Sequence, residues 1–433
     1  MNRPLPVALS AWLALGGLAL LPAGCHREPP PRPAREITSF HMAGYDAAAR
    51  VLAGEFEQQT GIRVHIVSAG LFSLREKTLT DLLTRGGHYD VLQVAYQWEG
   101  EIAPHLRPLD DLVKDIAPDF EEDFIPAVRS VCGQWAGRLY GLPVACDVIT
   151  LLYRTDVFAA RSAEFERLTG RPLAPPRTWD EYLEIARFLN SESLYGNVLM
   201  GREQTYTLWS GVLHGMGGEL VDEHWRPRFN SEIGVRSLER FVEMYQYAPP
   251  HCEDRTVQES DALFLQGRAA MYMGWPSLLW PQLNDTNRCK IAGKIGAAVI
   301  PGGRPQLSAW SLAINPACRD LEAARRWIRF FVDRQTSRRL LLVFGKGSPR
   351  LSTYSDPQCQ ETVFYLRPLL EGLAHTRPRL RIPPSQELSD YLDHELIQAV
   401  RGQSTPRAAL DRAAARWREV LAQRGYLRET PAP

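Results

Sequence analysis

Apolar and polar residues alternate in REITSFHM (35–42), the period of a strand with one buried face. From Tyr45 to Thr60 the apolar positions recur at helical spacing until Thr60-Gly61 stops them. A second strand is predicted in IRVHIVSAG (62–70), a helix from about Leu74 to Thr84, and a third strand in YDVLQVAY (89–96). This β-α-β-α-β order predicts a mainly parallel sheet with helices on its faces, which binds ligands beyond the carboxyl ends of its strands.

Two later helices are equally legible. In TWDEYLEIARFL (178–189), Thr178 and Glu181 have capping-box spacing, and Trp179, Tyr182, Leu183, Ala186 and Leu189 share a face. In TPRAALDRAAARWREVLAQRG (405–425), Thr405 caps, Pro406 takes the first helical position and Gly425 stops the helix. Ala409, Leu410, Ala413, Trp417, Val420 and Leu421 form its stripe, so the tryptophans of both helices are packing residues. There is no internal repeat, and residues 36 to 426 read as a compact body.

The amino terminus follows another rule. Arg3, an apolar run from about Val7 to Leu21, then Ala23 and Gly24 before Cys25 have the order of an export signal, too short for a comfortable membrane span. Small residues directly before a cysteine resemble the bacterial lipobox, in which Cys25 would be acylated and become the new amino terminus. Pro22 departs from it, standing where Leu or Val is usual; the alternative is an ordinary signal cleaved nearby. The reading is a signal peptide over 1–24, a lipid-anchored Pro-rich tether over 25–35 and a short tail over 427–433. The chain is thus expected in the cell envelope or periplasm.

With 433 residues, 45% of them hydrophobic, the chain buries enough core for two or three lobes. Fifty basic residues balance fifty acidic ones, so it lacks the electrostatic footprint of a nucleic-acid binder. Beyond Cys25 there are six cysteines, 132, 146, 252, 289, 318 and 359, without zinc or haem spacing; buried free thiols and disulfides are both open. The ten histidines also lack ligand spacing, so neither metal nor cofactor is expected. The chain contains no G-x-S-x-G, H-E-x-x-H, P-loop or dinucleotide fingerprint. DFEEDF (119–124) reads as a solvated acidic run. More informative are aromatics in loops and at strand ends: AYQWEG (95–100), Trp275 in MGWPSLLW and Trp310 in LSAWSLAI. An indole face covers the C–H face of a sugar ring while polar groups take its hydroxyls.

The order of motifs resembles extracellular solute-binding protein family 1, the receptor subunits of sugar-importing ABC transporters. It is carried by GQWAGRLYGLPVACDVITLLYRTDVF, PRTWDEYLEIARFL, ALFLQGRAAMYMGWPSLLW, KIGAAVIPGGRPQLSAWSLAINPACRDLEAARRWIRFFVD, GKGSPRLSTYSD and the segment 377–414, nearly the whole mature chain. The resemblance implies an α/β, two-lobed, type II periplasmic-binding-protein-like fold with discontinuous lobes, 36–144 with 301–344 and 147–297 with 347–426. Hinges are implied near Val144–Cys146, Val299–Pro301 and Gly345–Gly347. Because this layout puts Cys252 and Cys289 in one lobe, they are the preferred disulfide. The trehalose/maltose-binding branch, nearest in pattern, implies ligand-binding roles for Asp147, Trp275, Trp310 and Arg350. Two positions depart from that branch: Ala95 replaces a carboxylate and Ser277 a tyrosine. Tyr96, Gln97, Trp98, Tyr45 and Asp46 are the expected replacements. The implied function is a monomeric, non-enzymatic receptor passing a carbohydrate-like solute to an ABC permease. The rival readings are a secreted hydrolase pairing Asp147 with Asp46 or Glu99, and a binding-protein fold serving signalling or envelope assembly.

Overall fold

The computed structural model describes residues 35–427 apart from Glu203 and Asn284. The signal segment, Cys25, nearly all of the tether and the tail after Leu427 lie outside the described residues. The principal strands are β1 (Glu36–Met42), β2 (Arg63–Ala69), β3 (Val91–Ala95), β4 (Gly141–Val148), β5 (Thr150–Arg154), β6 (Tyr195–Leu199), β7 (Ala269–Gly274), β8 (Ile295–Val299) and β9 (Leu307–Ile314).

They form two open sheets. The first has the order β2-β1-β3-β9-β4. Its β2-β1-β3 part is parallel, as the alternating strand and helix pattern predicts. Strand β9 arrives from more than 200 positions later and pairs antiparallel with β3 and β4, so the sheet is mixed. The second sheet has the order β8-β5-β7-β6, with only β6 and β7 parallel.

The helix Asp46–Thr60 ends at Gly61, whose positive φ of 69° lets its N–H return to the Glu57 carbonyl. The next helix is Leu71–Thr84, three residues longer at its start than the apolar spacing indicates. Helix Leu321–Val332 lays Ala324, Trp327, Ile328 and Phe331 on the first sheet, and Trp327 Nε1 donates to Ser39 Oγ at 3.1 Å. The helices Trp179–Leu189 and Pro406–Gln423 bury the stripes their sequences predict. The capping box at Thr178 is only half formed. Its Oγ1 accepts from the Glu181 N–H, but the Glu181 carboxylate takes the Arg177 N–H instead of that of Thr178. Thr256 and Glu259 form a full box.

Each sheet has its own apolar core. A third cluster, including Val128, Cys146, Val148, Ala309, Tyr354 and Leu369, fills the space where the two meet. Three segments pass between the sheets. Strand β4 stays in the first sheet through Val148, so the first passage is at Ile149, beyond Val144–Cys146. The second runs from Val299 to Leu307, and the third follows the helix Arg334–Phe344.

The Cys252–Cys289 disulfide is not formed: both are buried free thiols, as are Cys132, Cys146 and Cys359, while Cys318 is free and half-buried. Sharing a lobe is insufficient. The Cys252 thiol is spent on the edge of the second sheet, donating to the Leu199 carbonyl at 3.1 Å and accepting its N–H at 3.4 Å. Burial pushes this thiol up to about 11.

Candidate functional site

The carboxyl end of β3, the passage from β4 to β5, the turn after β7 and the third crossing converge where the sheets meet. Trp310 on β9 lies in register with Ala95 on one side and Ala145 on the other. Two small neighbours leave its indole room on the sheet face. Trp98 packs edge-to-face against it, with centroids 5.7 Å apart, and Tyr45 lies tilted at 5.8 Å. The Lys346 ammonium stands 4.6 Å above the Tyr45 ring.

Beside Lys346 lies Asp147, 4% exposed. Its carboxylate accepts the Val148 N–H at 2.8 Å and the Ser277 N–H at 3.2 Å. Burial pushes Asp147 up to about 6, against the pull of these hydrogen bonds and the Lys346 charge. Burial lowers Lys346 in turn, while Asp147 raises it. Ser277 is two residues from Trp275, which is half-buried against the second core. Trp98, Trp310, Tyr45, Lys346, Asp147 and Ser277 thus form one continuous row from the first sheet to the second, with Trp275 at its end. Among the described residues, Lys346 Nζ, Tyr45 Oη and the three indole N–H groups make no hydrogen bond to the protein, and none of them is among the fully enclosed atoms that lack a partner. The row offers several donors, one carboxylate acceptor, three indole faces and the Tyr45 ring.

Sequence reasoning missed Lys346, whose position depends on its neighbours. Gly345 adopts a φ of 69°, and the N–H groups of Gly345 and Lys346 return to the carbonyls of Leu341 and Leu340. A Cβ on Gly345 would lie 2.5 Å from the Trp280 Cβ, and one on Gly347 would lie 2.0 Å from the Cys146 carbonyl. The Cys146 N–H donates to the Gly347 carbonyl at 2.9 Å. Two glycines therefore thread the backbone between Trp280 and β4 and deliver the lysine next to Asp147. The sequence signal was a lysine between two glycines at an implied hinge.

Other expected residues are used differently. Arg350 does not join the row. It is 2% exposed, and its Nη1 pairs with Asp123 at 2.8 Å and Asp119 at 3.0 Å. Its Nε donates to the Val332 carbonyl at 2.6 Å, and its guanidinium lies 4.4 Å over Phe124. The run DFEEDF is accordingly not all solvated, because Asp123 is buried and also accepts the Ser352 N–H and hydroxyl at 2.8 Å each. Asp46 braces its own helix start, accepting from Gly44 N–H at 3.0 Å and Ser68 Oγ at 3.3 Å. Tyr96 is buried, and its hydroxyl accepts the Arg379 N–H at 2.9 Å. The Gln97 main-chain carbonyl accepts from Ser385 Oγ at 3.3 Å, which leaves its side-chain amide unused among the described residues. Glu99 accepts the Gly133 N–H and pairs with Arg381 at 3.0 Å. The segment around Arg381 runs so close over this turn that a Cβ on Gly100 would lie 2.0 Å from its carbonyl.

Comparison with known proteins adds to this geometry. The family model for bacterial extracellular solute-binding proteins matches residues 41–336. A probable amino-acid ABC transporter periplasmic-binding protein of Sinorhizobium fredii is 28% identical over 396 residues, 89% of either chain. The mannitol-binding protein of Pseudomonas aeruginosa is 25% identical over 386 residues, 82% of this chain and 85% of its own. The crystal structure of an ABC transporter solute-binding protein from Agrobacterium radiobacter K84 in complex with ribitol is 26% identical, with a TM-score of 0.78, over 89% of this chain and 98% of that one. The sheet order, the two cores and the match over residues 41–336 agree: the chain belongs to the family of bacterial extracellular solute-binding proteins.

Proposed function

We propose that this protein is the receptor of an ABC importer and captures a neutral, hydroxyl-rich solute, a sugar alcohol or sugar, where its two sheets meet. One observation carries the reading: the row of Trp98, Trp310, Tyr45, Lys346 and Asp147, with Trp275 beyond Ser277. Its indoles offer apolar faces, its ammonium and phenol donate, and its carboxylate accepts, as a polyol requires. A relative named for mannitol and a similar structure solved in complex with ribitol support this class. The lobes would be 36–144 with 301–344 and 147–297 with 347–426, closing around the solute and favouring the bound form through its differential affinity. No bond is made or broken. Asp46 and Glu99, the partners a hydrolase would need beside Asp147, are engaged at a helix start and with Arg381.

The receptor would act as a monomer held in the envelope by a lipid on Cys25, with the proline-rich tether giving it reach toward the permease subunits. Replacing Cys25 by Ser should shift it from the detergent phase to the aqueous phase; unchanged partition would refute the anchor.

A thermal-shift screen over sugar alcohols, sugars, amino acids, glycerol phosphates and polyamines tests the solute class. A ligand at 100 times its Kd stabilises the folded state by about 2.7 kcal/mol. Hits confined to charged compounds would overturn the polyol reading. The second reading is an amino acid, whose carboxylate and ammonium would face Lys346 and Asp147; the name of the Sinorhizobium relative favours it. An amino-acid hit with no polyol hit would establish it.

A further inference from the structure

We infer that Lys346 is a direct solute contact and that its balance with Asp147 sets the charge of the solute accepted. The inference rests on the polyol reading, which already counts this ammonium among its donors, and adds to it a selection rule. Lys346 is 4% exposed, yet its ammonium makes no hydrogen bond or ion pair among the described residues. A cation so largely removed from water is favoured by any group that hydrogen-bonds it, and its Nζ is not among the fully enclosed atoms, so a solute can reach it. What it has is the Tyr45 face at 4.6 Å and the charge of Asp147. Both belong to the row assigned to the solute, and a hydroxyl oxygen placed between them completes the ammonium's hydrogen bonding. The backbone leaves the side chain little choice of place. Gly345 abuts Trp280, Gly347 abuts the Cys146 carbonyl, and Cys146 directly precedes Asp147.

The charge argument follows. One ammonium and one carboxylate cancel, so the combined field of the pair is close to that of a dipole. A neutral polyol meets donors at one end and an acceptor at the other. A carboxylate-bearing analogue gains at Lys346 and loses at Asp147, and it also gives up its hydration. Selection against anions is therefore a property of the pair and is removed by neutralising Asp147.

The test uses the mature full-length protein with ribitol and D-mannitol and their carboxylate counterparts D-ribonate and D-mannonate, measured by calorimetry at pH 7.5. Wild type should bind a polyol at least about tenfold more tightly than its aldonate, since the pair leaves no net attraction to offset the carboxylate's lost hydration. Lys346→Met should lose about tenfold or more in polyol affinity. Asp147→Asn should narrow or invert the polyol-to-aldonate ratio. Lys346→Arg, which keeps the charge, guards against a misfolded Met variant, and thermal melts report the fold of each. It should keep the preference for the polyol and change the ranking of ribitol against mannitol. Polyol affinity in folded Lys346→Met within about twofold of wild type would overturn the inference while leaving the polyol reading standing. An unchanged ratio in Asp147→Asn would overturn the charge rule. Wild type binding neither polyol would sink the polyol reading and the inference together.

Discussion

Asp147 allows the energetics of the site to be measured without a ligand. Its folded-state value is pushed up from 3.8 to about 6, burial outweighing the N–H groups of Val148 and Ser277 and the charge of Lys346. A carboxyl raised in this way binds its proton more tightly in the folded than in the unfolded chain. Its favourable contribution is therefore complete below about pH 4 and is lost as the pH rises through about 6. A shift of roughly 2 units corresponds to about 3 kcal/mol. At neutral pH the empty site thus holds an ionised carboxylate at a cost of that order.

Asp147→Asn removes the titration and nearly keeps the shape. Urea denaturation of wild type and variant from pH 4 to pH 8 isolates the effect, because every other carboxylate is common to both proteins. The stability of the variant relative to wild type should increase by up to about 3 kcal/mol between about pH 4 and pH 7, then level off. The replaced amide presents an N–H₂ or an oxygen to Ser277, which alters the offset and not the pH slope. A difference independent of pH would refute the argument that desolvation dominates at Asp147. Solute binding should carry the opposite sign. A hydroxyl donating to the ionised carboxylate lowers its pKa, so affinity should weaken as pH falls below about 6 in wild type, and not in the variant.

Three further outcomes are expected. Arg350→Met should cost about 1–3 kcal/mol in urea unfolding, because Asp123 loses its buried cation and keeps only the exposed Arg334 at 3.1 Å, while solute affinity of the folded protein stays unchanged; a stable variant with lost affinity would return Arg350 to the site. Gly347→Ala should lower solute affinity without loss of the fold, because the added Cβ would lie 2.0 Å from the Cys146 carbonyl and the crossing must shift, taking Lys346 with it; calorimetry with ribitol and D-mannitol checks this, and unchanged affinity would refute the coupling. The six thiols beyond Cys25 should all react with a thiol reagent in denaturant without reductant, and reductant should leave Tm unchanged; fewer reacting thiols would reveal a disulfide.

How much was legible in the sequence depended on how far apart the interacting residues stand. β1, β2, β3 and the helices between them follow from local period, and so do the buried stripes around Trp179 and Trp417. Local reasoning fails where a partner is remote. Arg350 was implied in the site by the family resemblance alone, yet the carboxylate that occupies it, Asp123, lies 227 positions earlier. The same distance made DFEEDF look like a solvated run. Cys252 and Cys289 share a core, but the nearest use for the Cys252 thiol is the backbone of Leu199. Tyr96 and Gln97 stand at the end of a strand where ligands are expected, and the returning segment at Arg379 to Ser385 already uses the Tyr96 hydroxyl and the Gln97 main-chain carbonyl.

The third crossing shows why site and fold are hard to separate in this chain. Within six residues, Gly345 to Arg350, it ends a helix, passes Trp280, pairs with Cys146, offers Lys346 to the site and anchors Arg350 against Asp119 and Asp123. Phe124 and Arg350 also meet as a backbone bridge, so this end of the crossing is fixed to the 119–124 segment by both main chain and charge. Lys346 therefore sits between Gly345, against Trp280, and a close backbone contact at Gly347, with the crossing fixed beyond it at Arg350. In the proposed closure, a motion about Ile149 would have to be absorbed elsewhere in the crossings or would break the Cys146–Gly347 pairing. A lysine held in this way reports the relative position of β4 and the Tyr45 loop, and a solute bridging Lys346 and Asp147 would favour the arrangement in which both are in reach.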